Sequence, residues 1–206
     1  DSMDGEILLK LPRQTPNDGT VDIFERTGND DIFWFASNEL VDLYEPDDVR
    51  FQIFFDSSDP AAVRVQKYNQ RSAKNLADIK LLRVSEMYLI RAEALAQPGP
   101  QQDLGAAQTD LETLRNQRID NPDGINFTDS DTAIELIQKE RRLELAYEGH
   151  RWFDLKRANL PVDRIPADID GVTSSDFLAE DNFRMLFPIP QDEVFANDNI
   201  NQNPGY

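Results

Sequence analysis

The chain has 206 residues, with 21 Lys plus Arg against 39 Asp plus Glu, one His and no Cys, and a formal net charge of −18. Such acidity excludes nucleic acid as a partner, because affinity for phosphate backbones is carried by clustered Lys and Arg, and it does not suit a chain lying bare on an anionic membrane. Without Cys there is no disulfide framework, thiolate metal site or cysteine nucleophile, and the single His150 rules out any site needing two imidazoles.

In chain order, the opening Asp1-Ser2-Met3-Asp4-Gly5-Glu6 has no initiator Met, charged n-region or apolar h-region, and reads as a fragment or processed product with any export signal or lipid-bearing Cys upstream. Residues 1–78 form a loop- and strand-containing segment. Glu6 to Leu11 reads as a short strand stopped by Pro12, and Val21 to Phe24 alternates as a half-buried strand does. The aromatic run Phe33-Trp34-Phe35 follows, with Asn38 close behind. Ser37 is placed to cap a short helix whose Leu40, Val41 and Tyr44 face inward. Polar connections cover 56–60 and 69–77.

Residues 79–206 read as a helical scaffold. Over 81–96, Leu81, Val84, Tyr88, Leu89, Ala92 and Leu95 recur at three-and-four spacing, which predicts one buried helix face. Gln97-Pro98-Gly99-Pro100 stops it. A second helix spans Asp103 to Arg118 with Leu104, Ala107, Leu111 and Leu114 on one face, and small residues around the turn permit close approach, as in one tetratricopeptide-like hairpin. A third helix, capped by Asp129 or Ser130, runs to about Gly149, and a short fourth piece covers Arg151 to Lys156. Residues 159–182 read as polar loop. Met185 to Pro190 is extended, and Pro190 opens a last helix with Asp192 and Glu193 in its first turn. No run of about 18 apolar residues occurs.

The densest cluster of chemistry is 139–157, which holds six of the 21 basic residues. Leu136, Glu140, Leu143, Tyr147 and His150 step along one helical face. Glu140, Glu144 and Glu148 are four apart and repel one another unless paired, with Arg141 and Arg151 as near partners. One reading is an ion-pair network that fixes helix to helix. The other takes Glu140 and Glu148 as acid and base with His150 assisting, although carboxylates hemmed by Arg are too acidic for a general acid. The half-patterns Asp168-Ile169-Asp170-Gly171 and Asp120 to Gly124 are incomplete for calcium and read as Asx turns; no metal or other cofactor is expected. Phe33-Trp34-Phe35 is either core packing or an exposed shelf. Sugar rings stack their C–H faces on aromatic rings, while Asn hydrogen-bonds hydroxyls, so the ligand-binding candidates are Trp34, Phe33, Phe35 and Asn38.

Several segments resemble one family together. ERRLELAYEGHRWFDLKR (140–157), LLRVSEMYLIRAEALAQ (81–97), the Leu114-Arg115-Asn116-Gln117-Arg118 stretch, LFPIPQDEVFANDNINQNPGY (186–206) and SNELVDLYEPDDVR (37–50) are similar to motifs of the SusD/RagB family of outer-membrane nutrient-binding lipoproteins. The resemblance implies a mainly α fold of tetratricopeptide-like α-α hairpins with irregular loops and a few short strands. It implies no catalysis. Instead it implies a surface-exposed outer-membrane lipoprotein that captures oligosaccharide and delivers it to a TonB-dependent, SusC-like transporter. Membrane attachment is expected only through a lipid anchor outside this chain, which reads as a C-terminal half. A peptide-binding or protein-interaction scaffold of the same fold is the alternative. Motif segments in the family are scaffold and its ligand contacts come from variable loops, so the candidate site rests on the aromatic run.

Overall fold

The structure is a computed structural model, and it describes residues 5–12, 35–60, 62–68, 78–168 and 176–206. It is mainly helical with short two-stranded ribbons, as expected, and it divides into two compact units, residues 1–149 and 150–206. The strand expected at Val21 to Phe24 lies outside the described residues.

In the first unit, strand β1 (Ile7–Leu11) pairs antiparallel with β4 (Ile79–Arg83). Helix α1 (Asn38–Val41) starts at Ser37, whose hydroxyl accepts the Leu40 amide at 3.3 Å. Helix α2 (Val49–Phe54) starts at Asp48, whose carboxylate accepts the Arg50 amide, and runs into β2 (Phe55–Asp56), which pairs with β3 (Arg64–Val65). Tyr44, Phe54 and Phe55 cluster edge to face, with Phe55 5.4 Å from Tyr44, and bury Ala36, Leu40 and Val65 among them.

The main core is a three-helix arrangement. Helices α3 (Val84–Ala96) and α4 (Leu104–Arg115) form the expected hairpin: the Asp103 amide donates to the Leu95 carbonyl, and Arg91 reaches Asp110 further along, so the two run antiparallel. Ala92, Ala96 and Ala107 are fully buried where the axes approach, and Leu89, Leu111 and Ile137 fill the space between α3, α4 and α5 (Ser130–Glu144). Burying each such branched side chain stabilises the fold by roughly 1.5–3 kcal/mol. Asp103 and Asp129 cap their helices by accepting the Ala106 and Thr132 amides.

Two helix boundaries differ from expectation. The helix expected over 81–96 begins only at Val84, and residues 79–83 are strand β4, so Leu81 leaves the buried face and is exposed. The apolar run there satisfies strand pairing with β1, a long-range partner that helical spacing does not reveal. The helix expected to reach Gly149 ends at Glu144. Tyr147 and Gly149 adopt left-handed backbone, with φ of 62° and 85°, which ends the ladder. Tyr147 and His150 therefore do not continue the Leu136–Glu140–Leu143 face; His150 instead precedes the next helix.

The second unit holds α6 (Arg151–Arg157), a ribbon of β5 (Val162–Asp163) with β6 (Phe177–Leu178), and α7 (Gln191–Ala196). The segment expected as loop over 159–182 thus contains a ribbon. The C-terminal tail is laced back onto the extended segment before α7. Gln202 brackets Ile189 through both its backbone amide and carbonyl, and the Tyr206 hydroxyl donates to the Leu186 carbonyl. Gly205, at φ 98°, lies against the Phe183 ring, where a Cβ would stand 2.5 Å away, so only glycine fits.

Candidate functional site

Of the four candidate residues, Phe35 and Asn38 lie among the described residues and Trp34 and Phe33 lie outside them. The chain around Phe35 is held at three points. Phe35 bridges to Arg64, the Ala36 amide donates to the Val63 carbonyl at 2.8 Å, and Leu40 is buried one helical turn on. Because Ala36 and Leu40 point into the aromatic cluster, Phe35 and Asn38 are turned outward. Phe35 is 54% exposed and Asn38 is exposed. The ring and the amide thus each stand exposed on a segment anchored by the buried Ala36 and Leu40.

Within the 139–157 cluster, Glu140, Glu144 and Glu148 belong to a buried charge network. Arg50 Nη1 donates to Glu140 Oε1 at 2.6 Å and to Glu144 Oε2 at 3.1 Å, while its Nη2 donates to Asp48 at 2.7 Å. Arg83 joins Glu144 at 2.7 Å to Glu148 at 2.8 Å, and Arg118 and Arg115 bind Glu144 and Glu140 at 3.0 and 3.2 Å. Lys67 pairs with Glu148 and donates to the Ala146 carbonyl at 2.7 Å, closing the C-terminal end of α5. Glu140 and Glu144 are each 1% exposed.

An ion-pair network does hold these carboxylates, but not through the expected neighbours Arg141 and Arg151: Glu144 is held by Arg50, Arg83 and Arg118, and Glu148 by Arg83 and Lys67, partners drawn from β4, α2 and loops distant in sequence. Arg141, expected beside Glu144, reaches Glu86 at 3.1 Å. Arg50, Arg83, Arg115, Arg118 and Lys67 are the site residues that sequence reasoning did not single out. Their only signal was position inside the matched motif segments, except for Lys67, which had none.

Burial raises the Glu144 carboxyl, but the hydrogen bond from Arg118 and the charges of Arg83, Arg118 and Arg50 outweigh it and hold the group well below the ordinary carboxylate range. Burial opposes ionisation of Glu148 too, and Lys67 and Arg83 overcome it in the same direction. Burial dominates at Lys67, whose ammonium is pushed down to about 8 despite Glu148. Carboxylates so placed hold charge; they do not deliver protons to a substrate. Among the described residues no group of His, Asp or Glu is arranged to hold a metal ion, and no helix is long and apolar enough to cross a membrane. The Asp120 to Gly124 stretch is a turn with Asn121 at φ 57°, and residues 169–175 lie outside the described residues.

The chain is similar to known proteins in sequence and in fold. The family model described as SusD family matches residues 57–206, well over half of the chain. A SusD-like protein from Formosa agariphila is 31% identical over 151 residues, covering 70% of this chain and 28% of that relative. Among solved structures, a SusD superfamily protein from Bacteroides thetaiotaomicron aligns over 97% of this chain and 48% of its own, with a TM-score of 0.78 and 26% identity. A SusD-like carbohydrate binding protein from Bacteroides vulgatus aligns over 95% of this chain and 48% of its own, with a TM-score of 0.67 and 25% identity. This chain therefore spans about half, or less, of the length of these relatives. The family-model match over residues 57–206, which runs through the C-terminal tail, places the chain in the SusD family.

Proposed function

We propose that this chain forms part of a protein that binds oligosaccharide at the outer surface of the outer membrane and passes it to a TonB-dependent, SusC-like transporter without cleaving it. Family membership carries the reading, and one of the aligned structures is itself described as carbohydrate binding. The geometry agrees with capture rather than hydrolysis. The carboxylates that could have served as acid and base, Glu140 and Glu148, are locked to Arg50, Arg115, Arg83 and Lys67 inside the fold. A glycosidase needs two carboxyl groups facing each other across a cleft, one of them with a raised pKa. The outward Phe35 ring beside Asn38, continuing the Phe33-Trp34 run, supplies the stacking surface and hydrogen-bonding amide that a pyranose requires. Attachment to the membrane through a lipid anchor belongs to the same reading.

Isothermal titration calorimetry against neutral, uronic and sulfated oligosaccharides, with a peptide mixture alongside, tests it. Heat with at least one oligosaccharide class and none with peptides is the expected result. Heat with peptides alone would replace the carbohydrate reading by peptide uptake.

A further inference from the structure

A cleft of about 200 Å³ opens in the first unit between α4, α5 and the loop before α1's neighbour α2, away from the Phe35 shelf in sequence. Leu111, Ile125 and Leu136 give it an apolar wall, and Arg115, Glu45 and Glu140 give it a polar floor. The floor is rigid: Arg115 Nη2 donates to Glu45 at 2.7 Å and Nη1 to Glu140 at 3.2 Å, and Glu140 is in turn held by Arg50. Lys139 stands at the rim, exposed.

The chemistry of this floor selects among ligand classes. A guanidinium only donates and a carboxylate only accepts, whereas a hydroxyl does both. Glu140 is buried with both oxygens taken by Arg50 and Arg115, so Arg115 and the partly exposed Glu45 offer donor and acceptor to a pair of neighbouring hydroxyls, while the apolar wall meets a C–H face. An anion would meet Glu45, Glu140 and the exposed Asp123, which also lines the cleft. A metal ion finds no suitable ligand group among the described residues. The volume is below the roughly 300–1,000 Å³ of sites for drug-sized molecules, so it fits one ring and not a chain.

We propose that this cleft is a second saccharide site, separate from the aromatic shelf, which takes a single neutral sugar residue through adjacent hydroxyls. The inference rests on the carbohydrate reading above and adds a subsite of defined chemistry to it. The network then has two duties: it holds α4 to α5, and it presents a polar pair whose orientation burial has already fixed.

Gly124 offers a clean probe. It lines the cleft, and a Cβ added there meets nothing within 4 Å, so Gly124→Phe adds bulk to the lining while the Arg115 pairs with Glu45 and Glu140 keep their atoms; only the 3.5 Å bond from Arg115 to the neighbouring Asp123 carbonyl is exposed to the change. Saturation-transfer NMR on the full chain would use glucose, galactose, mannose and xylose singly, with galacturonate as the anionic control. At least one neutral sugar is expected to give transfer, retained in Phe35→Ala and lost in Gly124→Phe, with galacturonate silent. Shifts of the Asp123, Gly124 and Ile125 amides in the unaltered protein on adding that sugar provide a readout that needs no variant. Transfer that survives Gly124→Phe with no shift at these amides, equal binding of galacturonate, or no transfer from any neutral sugar overturns the inference. In the last case, oligosaccharide binding that is lost in Phe35→Ala leaves the shelf reading standing, whereas absence of any glycan binding removes both.

Discussion

Replacing Glu144 by Gln tests the load carried by the buried network. Glu144 accepts from Arg50 at 3.1 Å, from Arg83 at 2.7 Å and from Arg118 at 3.0 and 3.1 Å, at 1% exposure. Gln keeps the shape and removes the charge, leaving three guanidinium groups with a neutral acceptor. Breaking a buried pair from one side costs about 3–5 kcal/mol, because the remaining charge is uncompensated. For a chain of this length each kcal/mol shifts Tm by roughly 2–4 °C, so a fall of roughly 6–20 °C is expected. The pH dependence gives a second, independent reading. The folded-state pKa of Glu144 is held below its ordinary 4.5, so its contribution is complete above about pH 4.5 and is lost as pH falls below that. The Tm gap between the native chain and Glu144→Gln should therefore be constant from pH 7 to 5 and narrow on further acidification. Thermal unfolding followed by circular dichroism measures both. An unchanged Tm at pH 7, or a gap that widens in acid, would refute the assignment of Glu144 as the centre of the network.

Three further outcomes are expected. Trp34→Ala and Phe35→Ala should each weaken oligosaccharide binding by about 1–3 kcal/mol, the range for a base stacked on an aromatic ring, with Tm unaltered for Phe35→Ala because its ring is largely exposed; calorimetry beside a melting curve checks this. Ala107→Leu should destabilise by about 1–3 kcal/mol, since Ala107 has no accessible surface and the α3–α4 approach has no room for three more carbons; urea unfolding measures the loss. Ser37→Ala should cost about 1 kcal/mol through its helix cap and loosen the mount of Asn38, which the same urea titration and the oligosaccharide affinity would register together.

The legible parts of the fold were those set by neighbours in sequence. Asp103, Asp129 and Ser37 announce helix starts because capping is a contact over two or three residues, and Leu104, Ala107, Leu111 and Leu114 announce a buried face by spacing alone. Features set by distant partners were not legible. Strand β4 depends on pairing with β1, more than 60 residues earlier by register. The end of α5 depends on Lys67 and Tyr68, which bond the carbonyls of Ala146 and Tyr147 and so hold Tyr147 in a backbone region that an aromatic residue seldom enters. The candidate site divides the same way. The run Phe33-Trp34-Phe35 with Asn38 close behind was legible as an aromatic cluster, but whether it packs inside or lies open was not; the burial of Ala36 and Leu40 that leaves Phe35 and Asn38 exposed depends on distant core partners. The pairing of Glu140 and Glu144 with Arg50 spans 90 and 94 positions, and no local spacing encodes it.

Lys67 gives the molecule an internal gauge of its own integrity. Its ammonium sits among Glu148 and two backbone carbonyls, 3.9 Å above the Phe54 ring, with its side chain only 3% exposed. Burial lowers its pKa to about 8 in the folded state, and opening returns the amine to solvent and to its ordinary basicity, so a reagent that reaches it meets a lysine like any other. Access, not reactivity, is therefore the barrier. In a timed exposure to an acylating reagent, surface lysines such as Lys139 would be tagged at once, and Lys67 only at the rate at which the end of α5 peels away from its seat. Mass-spectrometric counting of that one late tag would clock the opening of this corner, and would show whether sugar binding slows it.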